Sequence, residues 1–80
     1  MNKEEIINII ENTLTSGDKT PGLFDMPKII AIKAELQSCH SVDDFMGIIE
    51  EHRDLISKAF GLSADAIDAA VQKIKALEGE

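Results

Sequence analysis

The chain of 80 residues predicts an all-α fold, a single-domain four-helix bundle. Three observations carry that expectation. Apolar residues recur at helical spacing in four separate segments. Each segment opens on Asn, Asp or Ser, and the longest stops at a glycine, Gly61. No segment alternates with a period of two or is rich in Val, Thr and aromatics, so no sheet is expected. Hydrophobic residues make up 44% of the chain, with twelve Ile, eight Ala and six Leu but no Trp or Tyr. The core is therefore aliphatic.

The first helix is expected over residues 2–15. Asn2 caps it and Glu5 occupies the capping-box position. Ile6, Ile7, Ile9, Ile10 and Leu14 share an arc of about 160° at 100° per residue. One long connection follows, with Gly17-Asp18 and Pro21-Gly22 as turn signals. Leu23 and Phe24, at its end, are expected to tuck into the core. The loop lacks both the spacing of a phosphate loop and the alternating acids of a calcium loop.

The second helix is expected over 25–38, with Asp25 as cap, Pro27 in the first turn, and Phe24 stapled to Ile29. Ile29, Ile32, Leu36 and Cys39 form one apolar stripe. Met26, Ile30 and Ala34 form a second on another side, next to Lys33 and Gln37. A helix apolar on two sides is either central or part of an interface. Met26, Ile30, Lys33, Ala34 and Gln37 are accordingly the candidate interface.

A short link leads to the third helix, expected as one element over 41–60. Ser41 and Asp44 form its capping box and Gly61 its stop, and Gly47 weakens it by about 1 kcal/mol relative to Ala, enough to permit a kink. The fourth is expected over 63–77, capped by Ser63, with Leu62 stapled to Ile67. Connections after the second helix are short, which makes the last three helices neighbours.

The net charge of −7 argues against binding to a phosphate backbone. A helix-turn-helix reading of residues 41–80 meets the same objection, because Arg53, Lys58, Lys73 and Lys75 face nine acids there. The single cysteine excludes an internal disulfide and fits a reducing, cytoplasmic setting. The longest apolar run is four residues, so no membrane span is expected.

Three groups of residues could carry chemistry. His52 projects between Phe45, Ile48, Ile56 and Ala59, which makes it a candidate buried polar site. Such a histidine most simply bonds a neighbouring carbonyl or carboxylate. Cys39, His40 and His52 match no zinc spacing, and a Cys39–His52 dyad would still need an oxyanion hole and a cleft. Glu50, Glu51 and Asp54 form a candidate acidic docking face for a basic partner. The acyl-carrier signature, Asp-Ser-Leu at a helix start, occurs at neither Ser41 nor Ser63.

The expected function is non-enzymatic. The chain reads as an interaction or regulatory module that binds a protein partner or itself through the second helix, with no cofactor, metal, nucleic acid or membrane. The alternative expectation is a carrier or small-ligand protein with a cavity near His52.

Overall fold

The computed structural model describes residues 2–78. Their regular structure is all α-helix, with five helices and no strand among the described residues: α1 (Lys3–Thr15), α2 (Met26–Gln37), α3 (Val42–Glu51), α4 (Arg53–Phe60) and α5 (Ala64–Glu78). The caps follow the local sequence closely. The Asn2 side chain accepts from the Glu5 N–H, Ser41 Oγ from the Asp44 N–H, and Ser63 Oγ from the Ala66 N–H. Asp44 Oδ2 in return accepts from the N–H of His40, one residue upstream of the cap.

Ile6, Phe45 and Ile74 are the fully buried side chains, one each from α1, α3 and α5. Around them lie Ile10, Ile29, Ile32, Leu36, Ile49, Ile56, Ile67 and Val71 in one continuous core. Each such side chain contributes about 1.5–3 kcal/mol relative to leaving it in water. The longest helix contact runs between α1 and α5. Both α3 and α4 rest on α5, α4 also meets α1, and the principal contact of α2 is with α3.

Two expectations need correction here. The single helix expected over 41–60 is two helices, broken at His52, whose φ of −107° and ψ of 15° leave the helical region. Gly47, which could have permitted a kink, lies inside an unbroken turn of α3. No proline or glycine stands at the break. Its cause is tertiary: α3 is aimed at α2 and α5, whereas α4 must lie against α1 and α5.

The second correction concerns Leu23 and Phe24. Both are 89% exposed and neither enters the core. Asp25 is also not an extended cap. Its backbone is already helical (φ −87°, ψ −25°), and its side chain makes no capping bond. The N–H groups of Asp25 and Met26 both donate to the Gly22 carbonyl, so the chain is turning from Gly22 onwards. A staple needs an extended cap residue to fold the preceding side chain back onto the helix. Without one, Phe24 swings away from Ile29, which is buried.

The long loop is fastened at its start. Gly61 ends α4 at φ +66°, with its own N–H and that of Leu62 both on the Ser57 carbonyl. The Phe60 carbonyl accepts instead from the Lys19 N–H, at 3.0 Å. That contact requires Gly17, because a β-carbon there would stand 1.9 Å from the Phe60 oxygen. Gly17→Ala should therefore lower stability by about 2 kcal/mol or more. Gly47→Ala is the control: a β-carbon there meets nothing within 4 Å, so it should raise stability by about 0.5–1 kcal/mol. Urea titration of both variants measures the pair, and equal effects would contradict the assignment.

Candidate functional site

α2 separates its two stripes cleanly. Ile29, Ile32 and Leu36 face the core, and Cys39 follows them just beyond the helix end. Met26, Ile30, Lys33, Ala34 and Gln37 are all exposed. Ile30 keeps 60% of its surface in water and Met26 keeps 42%. With Leu23 and Phe24 just before them, they make an exposed apolar patch running from the loop onto the first two turns of α2. The Leu23–Phe24 part of that patch was not foreseen from the sequence. The signal that could have found it is the helical turn begun at Gly22, which removes the geometry of a staple.

The far end of α2 is tied down. Lys3 Nζ donates to the Gln37 carbonyl, satisfying one of the free acceptors of the last turn. Ser38 Oγ donates to the Glu35 carbonyl at 2.8 Å. Beside Lys33 and Gln37, a shallow groove between α1 and α2 is lined by Ile7, Glu11 and Leu14.

His52 lies at the α3–α4 break, with about a quarter of its side chain exposed. Its Nε2 is 3.2 Å from Glu35 Oε2 on α2 and 4.0 Å from Glu51 Oε2. The histidine thus meets a neighbouring carboxylate. Glu35, an exposed residue of α2, gave no sequence signal as its partner. His52 also lines an open groove with Lys28, Ala31, Ile32, Glu35 and Leu55. Small apolar clefts beside Ile10, Leu14, Ile49 and Ile56, partly open to solvent, have room for about a water or two.

The acidic trio is divided by the break. Glu50 Oε1 is 3.0 Å from Arg53 Nη1, and Glu51 Oε2 is 4.0 Å from His52, farther than Glu35. Asp54, in the first turn of α4, forms no ion pair among the described residues. Arg53 also reaches α5, where Nη2 contacts the Asp68 carboxylate and donates to the Ala64 carbonyl. The hydrogen bond to Asp68, reinforced by its charge and by Glu50, pushes the Arg53 pKa up despite some desolvation. Arg53 is therefore a tie between α3, α4 and α5, a role its sequence position did not reveal.

Cys39, His40 and His52 do not converge. No group of three metal-ligating side chains occurs among the described residues. Cys39 Sγ is buried and lies 3.4 Å from the Glu35 carbonyl, whereas His40 is exposed. No protein-family model matches the chain, and no curated protein or solved structure matches it.

Burial pushes the Cys39 thiol up from its ordinary value. Asp44 and Glu35 add to the rise, and Lys3 opposes it. The folded state therefore holds the proton more tightly than the unfolded chain. That contribution to stability is complete below the unfolded value, about 9, and is lost as pH climbs through the folded one. Two outcomes are expected. The native thiol should resist iodoacetamide at about pH 7.5 and react once urea unfolds the chain. The urea midpoint should fall above about pH 9 in the wild type, and less in Cys39→Ala. Alkylation of the folded protein at the unfolded rate would contradict the burial.

Proposed function

We propose that this chain is a non-enzymatic interaction or regulatory module that engages a protein partner through the outward face of α2. A single observation carries the reading. Leu23, Phe24, Met26 and Ile30 stand in water as one patch, while the other side of the same helix supplies the core. Scattered exposed hydrophobics are ordinary, but a contiguous patch on a small domain marks a contact surface. Lys33, Ala34 and Gln37 extend the patch along the helix. A second copy of the chain is one candidate occupant. The reading places the protein in a reducing, cytoplasmic setting, which suits the free thiol of Cys39. No helix of the described residues is long and apolar enough to cross a membrane.

A second reading rests on the groove beside His52. There an imidazole, the Glu35 carboxylate and Lys28 border the apolar Ala31, Ile32 and Leu55. These are groups that could hold a small polar-headed ligand. Against it, His52 Nε2 already has Glu35 as a partner, and the groove is open to solvent. The acidic trio is a weaker docking surface, because Glu50 is occupied by Arg53 and Glu51 lies near His52.

The α2 reading predicts that Phe24→Ser and Ile30→Asp leave the urea midpoint nearly unchanged, within about 0.5 kcal/mol, since neither side chain is in the core. Sedimentation across a concentration series should show either a dimer or a monomer that binds an apolar dye. Both variants should abolish whichever is seen. A strict monomer that binds no dye would rule the reading out.

A further inference from the structure

The outward face of α2 carries no charge. At 100° per residue, Met26, Gln37, Ile30, Ala34, Pro27 and Ala31 fill an arc of about 140°, and all six are exposed. Lys33 borders the arc on the Met26 side. Lys28 and Glu35 lie beyond Ala31 on the other side, where Glu35 meets His52. Residues 18–35 hold three acids and three lysines, so the region is neutral in a chain of net charge −7. The face is also graded in size. Leu23, Phe24, Met26 and Ile30 raise its N-terminal half, whereas Ala31 and Ala34 leave its C-terminal half low. From these observations we infer that the occupant is a second copy of this chain, seated antiparallel about a two-fold axis near Ile30. This rests on the α2 reading and specifies the partner.

Shape, charge and area each favour that occupant. In the antiparallel pair the raised half of each copy lies over the low half of the other. Met26 faces the partner's Ala34, Ile30 meets its own counterpart, and Phe24 extends toward the partner's Gln37. Large side chains set against small ones let the two surfaces interdigitate. The two Lys33 share a flank but stand six residues apart, about 9 Å along the helix, with their ammonium groups in water. Contact through the helix starts of α1, α3 or α5 sets acid against acid, because Glu4, Glu5, Asp43, Asp44 and Asp65 lie there. A partner selected by charge finds none to pair with on the arc. Leu23, Phe24, Met26 and Ile30 expose on the order of 600 Å². The rest of the arc brings the face to roughly the 800 Å² that each side of a standard interface buries. An isologous contact uses that face once on each copy and closes at two.

Sedimentation of the full chain from about 1 μM to 1 mM should show a monomer–dimer equilibrium. Ile30→Asp should raise its Kd by about 100-fold or more, because it places a charge at the two-fold axis. Ala34→Phe should weaken the dimer by about tenfold, since its ring meets the partner's Met26, and Met26→Ala in the same chain should restore it. Both positions are exposed, so the urea midpoint should stay put. Added salt should tighten the dimer, because it screens the repulsion between two acidic copies. A dimer loosened by salt or tightened by Ala34→Phe would overturn the antiparallel second copy, as would growth beyond the dimer. The α2 reading would stand in those cases if Ile30→Asp still disperses the assembly. A monomer that binds an apolar dye through the patch would also overturn the second copy and leave the α2 reading standing. A dimer indifferent to Ile30→Asp, or a monomer that binds no dye, would overturn both.

Discussion

Ile6, Phe45 and Ile74 exclude water completely, and the rest of the fold is arranged around the core they belong to. It joins α1, α3 and α5, which are far apart along the chain. In a domain this small, burial of aliphatic side chains has to offset nearly all of the entropy lost on folding. With α1 against α5, α3 contacts α2 and α5 while α4 contacts α1 and α5. The chain therefore turns at His52 although nothing local requires it. Arg53, the first residue after the turn, binds the helix before it and α5 beyond it.

α2 is held differently. Its principal neighbour is α3, with His52–Glu35 on one side and Lys3 on its last carbonyl. One stripe of the helix is enough to seal the core, so the second is left in solvent. Burying Met26 and Ile30 as well would need another layer, which none of the five described helices supplies. The surplus apolar surface thus follows from the geometry of a small bundle.

Much of the secondary structure was legible because its causes are local. Asn2, Ser41 and Ser63 cap their helices through their own side chains, and Gly61 turns the chain at a positive φ. The stripes of α1, α2 and α5 follow from a period of 3.6 applied to Ile, Leu and Ala. Phe24 was misjudged because an apolar residue before an Asp imitates a staple. That motif depends on an extended backbone at Asp25, which the turn from Gly22 removes. The pairing of His52 with Glu35 joins residues 17 apart along the chain, and no spacing rule reaches that far.

The sequence by itself determined an all-helical chain, the caps, the core stripes and a second helix with more apolar surface than one contact can cover. Only the tertiary structure decided that the long helix breaks at His52, that Leu23 and Phe24 stay outside, and that Glu50 is occupied by Arg53. The physical reason is one of range. Helical periodicity and capping act within about four residues. The direction of a helix, and which side of α2 is left in water, depend on how five rods share one core.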